Sequence, residues 1–579
     1  MKNRIKICIA ALCTAAFTAL SGCSATKYTV SFDTASVGSA FDPQTVGSGK
    51  KLTAPEEPKK DGYNFIGWFK DTGLTEPWNI DSDKVKGDMT LYAGWDKNTG
   101  DTASDGGNDK DFSSLRSPGS QEEAYEYKAF FLPGKDGISQ PYVGDTMPYY
   151  ENGVYYIYYL KEAGDSYNHS AYLATTTDFI NYTEYDDPVL EANRSGGQDS
   201  WIGTGSVVKV GGKYYFFYTG HGSADVLEYA EKIMVAVGDT PTSFEKLTGW
   251  AITPPSDLGQ KNDFRDPQAY IDSNTGNIIL TVTASQGGVA RILKYTLSPD
   301  LENVHYDGII FTNPVGSFWN LECSDTFKIG DTYYITYSAQ DDTLWYAMSD
   351  TPYGPYGEPV RLDGKLFYAA KHVEDGEKLY MAGWARRSES FSSTQDVAAW
   401  AGNLAVQEII QNEDKTLALA PVENIAKSFS VRRKLPCEGE THAYVAAGAA
   451  YNYADAFTCY ESFMLTGEFT FTGTGSFGLS FDYNGRADKN KLISISPTDN
   501  MLRLQFNEGT TLITETAVEL KAGETYSFTY IQEGSVGIFY IDGKAALTVR
   551  LYGASGKTIQ IFAENNSVLF SSLREYTRP

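Results

Sequence analysis

The chain is poor in the residues from which metal sites are built. It has 5 histidines and 6 cysteines among 579 residues, with neither an HExxH motif nor a paired Cys-x-x-Cys. Those arrangements hold many of the zinc ions found in proteins. The sequence therefore predicts a protein without a metal ion or other cofactor.

Basic residues are also scarce. Lys and Arg number 48 against 74 Asp and Glu, which makes the formal net charge −26. Nucleic acids and anionic membrane surfaces repel such a chain, so neither is an expected partner. Aromatic residues, at 14%, and 55 glycines are abundant instead. This composition favours short strands joined by tight turns.

The N-terminal apolar run, residues 7–20, is too short to span a bilayer comfortably. It follows a basic start and ends in Leu20-Ser-Gly-Cys23. This pattern resembles a bacterial lipoprotein signal, which implies removal of residues 1–22, a lipid on Cys23 and anchoring on the outer side of a bacterial membrane. The alternative is an ordinary secretory signal with a chance cysteine.

A small β-rich segment is predicted next. Short alternating stretches at 28–32, 62–69 and 91–95 are separated by turn-rich sequence. Gly67-Trp68 and Gly94-Trp95 resemble the internalin-B-type repeat of surface proteins, which implies one such module over residues 28–96. Residues 97–124, rich in Gly, Asp, Ser and Thr, are expected to form a flexible linker.

From residue 125 to residue 423 one strand pattern recurs. Each copy follows a turn dipeptide of the kind that supplies positive φ angles in hairpins. Five hairpin units of about 45–65 residues predict a five-bladed β-propeller, whereas a long β-sandwich is not expected to repeat a hairpin in this way. The turns are Asn152-Gly153, Gly211-Gly212, Thr275-Gly276, Gly330-Asp331 and Asp375-Gly376.

Three acids take equivalent places in this repeat. Asp145 and Glu322 stand eight residues before Gly153 and Gly330, and Asp266 stands ten before Gly276. Each therefore begins the innermost strand of its blade, and we expect all three to meet at one mouth of the channel. Converging carboxylates repel each other and destabilise a fold, but they suit glycosidic bond cleavage.

Glu322 also has an unusual local setting. It stands beside the apolar Trp319 and Leu321 and before a cysteine. Burial among such neighbours would favour the protonated carboxyl group that a general acid needs. Taken alone, the alternative for this residue is a structural, hydrogen-bonded carboxylate.

The segments around the acids resemble the three signature boxes of glycoside hydrolase family 32, the β-fructosidases. This resemblance implies that Asp145 is the nucleophile, Asp266 stabilises the transition state and Glu322 is the acid/base of a retaining reaction. The first box usually reads Asn-Asp-Pro-Asn-Gly and the third usually has Pro after Cys, so the chain departs from both. The segments are Val143-Gly-Asp-Thr-Met-Pro148, Phe264-Arg-Asp-Pro267 and Leu321-Glu-Cys-Ser-Asp325.

Five further residues are candidates for binding the sugar. Gly203-Thr-Gly-Ser206 and Gly383-Trp384 resemble other pocket segments of the family. Arg265 is expected to hold a carboxylate or a sugar hydroxyl, with a purely structural ion pair as an equal alternative. Stacking on sugar faces is expected of three tryptophans, with core packing as the alternative for each: Trp201, Trp319 and Trp384.

Beyond residue 426 the repeats stop. Short alternating strands and an Asp542-Gly543 turn predict a jelly-roll-like β-sandwich over residues 426–579. We expect its role to be structural rather than sugar binding. Cys437 and Cys459 are one possible disulfide pair in an oxidising compartment.

The sequence therefore predicts an exported glycoside hydrolase that cleaves β-fructofuranosidic bonds in fructans or fructo-oligosaccharides. One alternative is an inverting arabinanase or xylosidase of family 43, which shares five blades and three acids but normally lacks Glu-Cys in its third box. The other is a surface lipoprotein that binds glycans without cutting them, against which an intact acid trio argues.

Overall fold

The computed structural model is built almost wholly of strands and divides into two compact units, residues 1–110 and 111–579. Cys23 and the predicted signal and linker segments, except Lys97, lie outside the described residues. No helix in the described part of the chain is long and apolar enough to cross a membrane. The described residues are 26–34, 41–53, 55, 58–59, 63–71, 77–80, 83–97, 126–134, 142–163, 166–193, 196–258, 262–314, 318–388, 398–435, 442–445, 451–481, 490–554 and 558–579.

The first unit contains one sheet, in the order β2-β1-β5-β3-β4, with β1 and β5 parallel. Val30, Leu91 and Trp68 are buried at its centre, since alternate residues of a strand face one side. Its strands are β1 (Lys27–Asp33), β2 (Gln44–Gly47), β3 (Tyr63–Phe69), β4 (Pro77–Trp78) and β5 (Met89–Lys97).

The second unit begins with five four-stranded antiparallel sheets within the described part of residues 146–421, which confirms the predicted propeller. Blade one contains β6 (Thr146–Glu151), β7 (Val154–Ala163), β8 (Ser166–Thr176) and β9 (Tyr182–Glu184), and blade two β10 (Trp201–Val210), β11 (Lys213–His221), β12 (Glu231–Thr240) and β13 (Ser243–Lys246). Blade three contains β14 (Phe264–Ile271), β15 (Ile278–Gln286), β16 (Val289–Leu297) and β17 (Val304–Thr312). Blade four contains β18 (Leu321–Ile329), β19 (Thr332–Ala339), β20 (Leu344–Ser349) and β21 (Val360–Asp363), and blade five β22 (Phe367–Glu374), β23 (Leu379–Ser388), β24 (Ala398–Gln411) and β25 (Leu417–Pro421).

All five turn dipeptides contain a residue with positive φ, and two of them have positive φ at both residues. Asn152 and Gly153 have φ angles of 52° and 83°, and Gly211 and Gly212 have 57° and 88°. Two successive left-handed residues make the hairpin turn whose twist matches that of the flanking strands. The first and second strands of these blades are therefore joined directly, which fixes their register.

The propeller is closed by segments that precede blade one. The Val143 and Gly402 backbones exchange hydrogen bonds of 2.8 and 2.9 Å, and the Leu404 amide donates to the Phe131 carbonyl oxygen over 2.9 Å. Both partners lie on β24 of blade five. Blade one therefore meets blade five through the chain that leads into Asp145.

A short helix, α1 (Glu423–Ser428), leads into two packed sheets that confirm the predicted sandwich. Phenylalanines from both sheets, including Phe469, Phe477 and Phe528, share one buried core. The strands are β26 (Val431–Arg433), β27 (His442–Val445), β28 (Tyr451–Thr458), β29 (Ser462–Phe471), β30 (Phe477–Phe481), β31 (Lys491–Ser496), β32 (Met501–Phe506), β33 (Thr511–Ala517), β34 (Thr525–Glu533), β35 (Val536–Ile541), β36 (Ala545–Arg550), β37 (Thr558–Glu564) and β38 (Ser567–Thr577). Cys459 is a free, buried thiol, and Cys437 lies outside the described residues.

Buried polar groups join the sandwich to the propeller. Asp363, at the end of blade four, accepts hydrogen bonds from the Thr548 hydroxyl at 2.7 Å and from the Thr548 amide at 3.0 Å. Burial raises the pKa of Asp363 to about 6, against the lowering effect of these hydrogen bonds. Such groups are stable only when fully paired, so they fix one relative placement of the two domains.

Glu533 makes a second buried link. Its carboxylate is 0% exposed, accepts hydrogen bonds from the amides of Ala129 (2.7 Å) and Phe130 (3.0 Å), and pairs with Arg578. It thereby ties the segment that leads into blade one to β34 and to Arg578, which directly follows the last strand of the sandwich.

Replacing Glu533 with Gln should lower the apparent unfolding midpoint, measured by scanning calorimetry. The change leaves Arg578 without its buried counter-charge, which costs about 3–5 kcal/mol. Lys427→Ala is the control, because its ion pair with Glu423 is exposed and solvent screens it. An unchanged midpoint for Glu533→Gln, equal to that of the control, would contradict the assignment.

Candidate active site

The inner strands of blades two to five carry an irregularity at the same place. Pairing with the neighbouring strand skips residues between Gly203 and Gly205, Arg265 and Gln268, Glu322 and Asp325, and Tyr368 and Lys371. In three of these skips a residue has a left-handed φ angle, namely 58° for Asp266, 51° for Cys323 and 50° for Ala369. Such bulges turn side chains away from the regular alternation and are common beside active sites.

Asp145 directly precedes β6 and is held by two neighbouring blades. The Thr204 hydroxyl of blade two donates to Oδ2 over 2.6 Å, and the Trp384 indole of blade five donates to Oδ1 over 3.2 Å. Burial raises the pKa of Asp145 and the charge of Glu322 adds to this, while the hydrogen bonds from Thr204 and Trp384 lower it. Both oxygens are thus oriented by donors that favour the carboxylate.

Asp266 is the most deeply buried of the three acids, at 3% exposure. The Cys323 amide donates to Oδ2 over 2.7 Å, and the Asp266 amide itself donates to the Thr219 hydroxyl over 2.9 Å. Burial raises the pKa of Asp266 to about 7, against the lowering effect of Arg265. The charges of Asp145 and Glu322 raise it as well. Burial thus favours the protonated form of Asp266, and Arg265 and the Cys323 amide oppose it.

Glu322 is more open, with 28% of its side chain exposed. Arg265 Nη2 donates to Oε1 over 3.0 Å, and the Tyr368 hydroxyl donates to Oε2 over 2.5 Å. The apolar pocket expected from the sequence is absent around Glu322 among the described residues, since Trp319 is 42% exposed and contacts Arg265 instead. A polar cradle open to solvent on one side holds this carboxylate.

Arg265 is the counter-charge of the site. Its guanidinium lies 3.2 Å from Glu231, 3.3 Å from Asp263 and 3.0 Å from Glu322, and 5.4 Å from the ring centroid of Trp319. Although burial alone would raise the pKa of Glu231, Arg265 and His221 lower it to about 2. Arg265 thus holds carboxylates, one of the two roles expected of it.

The three predicted acids therefore converge. The charge of Glu322 raises the pKa of both Asp145 and Asp266, and the charge of Asp145 raises the pKa of Asp266. Cys323 lies among them, with Sγ 3.8 Å from the Thr204 hydroxyl. Burial raises the pKa of its thiol well above the usual value, so this cysteine is not a thiolate nucleophile.

The predicted sugar-binding residues take different places. Trp319 is exposed at the rim, Trp384 is buried and bonded to Asp145, and the Trp201 ring lies 5.3 Å from that of His221, which contacts Glu231. Ser206 is buried. Its hydroxyl donates to the Pro267 carbonyl oxygen over 3.0 Å and accepts a hydrogen bond from the Ala269 amide over 2.8 Å. That geometry joins blades two and three, and it uses the one proton that the Ser206 hydroxyl can donate.

Sequence reasoning missed Tyr368, although a signal was present. Tyr368 stands eight residues before Gly376, as Glu322 stands eight before Gly330. The eight-residue distance to the turn glycine, which places Glu322 on its inner strand, therefore places Tyr368 at the equivalent position of blade five. Its hydroxyl donates to Glu322. Tyr368 carries no carboxylate, so the criterion of converging acids does not select it.

Trp400 also lies at the site. Its ring stacks on the His169 imidazole with centroids 4.2 Å apart, and a β-carbon at position 144 would collide with it. The charge of His169 acts on Asp145, where it lowers the pKa. Gly144 is therefore required beside Asp145, because no other residue leaves room for the indole.

Comparison with known proteins agrees with this geometry. Residues 145–421 match the model of the glycosyl hydrolases family 32 N-terminal domain, and residues 28–94 match the Listeria-Bacteroides repeat domain. A protein of Evansella cellulosilytica that bears the name of a Gly-rich membrane protein is 44% identical over 72 residues, 12% of this chain and 8% of that protein. This chain thus spans less than a tenth of that relative.

Two further similarities extend over most of the chain. The raffinose invertase of Escherichia coli is 22% identical over 455 residues, 73% of this chain and 89% of that enzyme. The solved GH32 beta-fructofuranosidase of Bombyx mori superposes with a TM-score of 0.59 at 17% identity, over 76% of this chain and 92% of that one, which shows a shared fold. Because the family model begins at Asp145 and extends through all five blades, residues 145–421 belong to the N-terminal domain of glycoside hydrolase family 32.

Proposed function

We propose that this protein is an exported β-fructosidase that hydrolyses β-fructofuranosidic bonds in fructans or sucrose-type oligosaccharides with retention of configuration. The observation that carries the proposal is the convergence of Asp145, Asp266 and Glu322, each held by donors from other blades. A sugar-binding protein has no need of three carboxylates whose mutual repulsion must be balanced.

In the first step, Asp145 attacks the anomeric carbon. The hydrogen bonds from Thr204 and Trp384 orient its two oxygens, so the nucleophile is fixed before the substrate arrives. As the glycosidic bond breaks, Glu322 transfers its proton to the leaving oxygen, and a fructosyl ester of Asp145 forms.

In the second step, Glu322 takes a proton from water, which attacks the anomeric carbon and releases fructose and the Asp145 carboxylate. Glu322 suits this exchange because part of its side chain is exposed, whereas Asp266 is buried. Asp266 accepts hydrogen bonds from ring hydroxyls, and these bonds strengthen as positive charge develops on the sugar.

The names of relatives support this substrate class. A raffinose invertase, a beta-fructofuranosidase of Oryza sativa and a sucrose-6-phosphate hydrolase are among the proteins that the chain resembles. All three names refer to fructose-containing sugars. We infer the same class of substrate for this chain.

For the cellular location, we infer a surface lipoprotein. The Leu20-Ser-Gly-Cys23 tetrapeptide, the Listeria-Bacteroides repeat and a relative that bears the name of a membrane protein support this reading. An acyl group on Cys23 would hold the enzyme at the outer face of a membrane, where extracellular polymers are accessible.

Incubation with sucrose, inulin and levan should release fructose from at least one of them. NMR in the first minutes should show the β-furanose form, because a double displacement retains configuration. Initial release of the opposite anomer would indicate an inverting, family 43-type reaction. Unchanged substrate in all three cases would favour a glycan-binding protein.

Asp145→Asn should lower kcat by more than about a thousandfold on every substrate, since the amide does not attack the anomeric carbon. Unfolding midpoints should match those of the wild type. Residual activity within about tenfold of wild type would remove Asp145 as nucleophile.

Glu322→Gln is the matched comparison for that variant. It should lose sucrose hydrolysis but retain the first step on a nitrophenyl fructoside, whose leaving group needs no proton. Equal losses on both substrates would contradict the assignment of Glu322 as the acid.

Cys23→Ala should abolish incorporation of a labelled fatty acid into the protein in cells. Cys13→Ala, within the predicted signal, is the control and should leave labelling unchanged. Labelling that persists in Cys23→Ala would show that Cys23 is not the acylated residue.

A further inference from the structure

A buried arginine of the sandwich reaches into blade five. Arg550, the last residue of β36, is 3% exposed. Its Nε donates to the Arg386 carbonyl oxygen over 2.6 Å, and its Nη2 donates to the Ala385 carbonyl oxygen over 2.8 Å. One guanidinium thus binds two consecutive carbonyl groups of β23.

Other N–H groups of Arg550 bind the residues that surround its guanidinium and so fix the orientation of the side chain. Nη1 donates to the Ser535 hydroxyl over 3.0 Å, and Nη2 also donates to the Asn403 side-chain oxygen over 2.8 Å. Asn403 in turn donates to the Phe130 carbonyl oxygen over 3.0 Å. The guanidinium is therefore fixed between the sandwich, β24 and the segment that leads into blade one.

The carbonyl groups that Arg550 binds lie where the sheet is irregular. The pairing of β23 with β24 shifts register between Arg386 and Ser388. A strand leaving its regular ladder needs other donors for its carbonyl groups, because buried acceptors without partners are costly. Ala385 and Arg386 are the last residues of β23 in register before this shift, paired with Asn403 and Gly402. Arg550 adds donors to their carbonyl groups directly after Trp384.

The side chains of this same stretch reach both acids, Asp145 directly through Trp384 and Glu322 through Tyr368. Trp384 donates to Asp145, and the Arg386 guanidinium lies 5.5 Å from the Trp384 ring centroid and 5.2 Å from that of Tyr368. Tyr368 donates to Glu322. A displacement of residues 384–386 therefore moves Trp384, which donates to Asp145, and changes the contact of Arg386 with Tyr368, which donates to Glu322.

We propose that Arg550 is a positioning residue of the active site, through which the sandwich fixes the donors that orient Asp145 and Glu322. The inference deepens the proposed function, because it rests on the roles assigned to those two acids. It makes the sandwich part of the machinery that aligns the site.

Arginine is required by this geometry. Its planar fork presents several donors in fixed directions, and two adjacent carbonyl groups and an amide oxygen match them. A lysine ammonium at this position lacks the reach and planarity to bind all three acceptors together. Arg550→Lys is therefore expected to preserve the positive charge but to lose hydrogen bonds to the carbonyl groups of β23.

A change at Arg550 should appear in the pH profile. The groups that act on Asp145 are Glu322, Asp266 and His169 by charge, and Thr204 and Trp384 by hydrogen bonds. Weakening the Trp384 hydrogen bond removes an effect that lowers the pKa of Asp145, so this pKa rises. Because the nucleophile must be ionised, the acid limb of kcat/KM should move to higher pH.

The experiment compares Arg550→Met and Arg550→Lys with Thr548→Val. Thr548 lies on the same strand and in the same interface, but its hydroxyl bonds to Asp363 on blade four, away from the site. For each variant we would measure the unfolding midpoint, kcat and KM across pH, and backbone hydrogen exchange in peptides covering residues 379–388. All measurements are made on the full-length protein below the lowest midpoint.

All three variants should lose some thermal stability. Only the two Arg550 variants should lose kcat/KM, by about 10- to 100-fold, since small displacements of reacting groups have effects of that size. They should also shift the acid limb upward and speed exchange in residues 379–388. Thr548→Val should show neither change.

The proposal is overturned if an Arg550 variant keeps wild-type kcat/KM and acid limb while losing stability like Thr548→Val. If Arg550→Met does not fold, Arg550→Lys decides by the same criteria. If the wild type cleaves no fructoside, the proposed function fails and hydrogen exchange alone decides the inference. Unchanged exchange in residues 379–388 would then refute it.

Discussion

The site depends on balancing three carboxylates that lie close together in a partly dehydrated space. Repulsion between like charges grows as water is removed, so each acid needs nearby compensation. The guanidinium of Arg265 provides positive charge, His169 adds to it at Asp145, and neutral donors complete the compensation. These donors come from different blades: blades two and five bind Asp145, blade four binds Asp266, and blades three and five bind Glu322. The hydrogen bonds that orient the acids therefore also connect neighbouring blades to one another.

The backbone meets this demand with a repeated irregularity. A regular strand points alternate side chains to opposite faces, which would not turn neighbouring residues of one strand toward the same channel mouth. The left-handed residues Asp266, Cys323 and Ala369 break that alternation at equivalent places. Left-handed backbone is unfavourable for residues other than glycine, and it persists here because interblade hydrogen bonds over-determine it. Strain and function thus coincide at the same positions.

The sandwich contributes more than apolar covering. Asp363, Glu533 and Arg550 are buried polar groups, and each binds partners on both sides of the interface or at the closure of the propeller. Apolar surfaces slide over one another at little cost, whereas paired polar groups tolerate one arrangement. Arg550 binds the backbone of Ala385 and Arg386, directly after the Trp384 side chain that donates to Asp145. The interface and the site are consequently connected through the backbone of β23 and the Arg386 side chain.

The sequence by itself determined the blade count, the turn positions and the place of each acid within its blade. These features depend on local hydrogen bonding and on the distance from an acid to its turn, which a short stretch of chain contains. Tertiary structure alone decided that Arg265 and Tyr368 meet at Glu322, that burial raises the pKa of Asp266 to about 7, and that Ser206 binds backbone. Solvation and Coulomb interactions depend on which distant segments share a space, and no spacing along the chain encodes them.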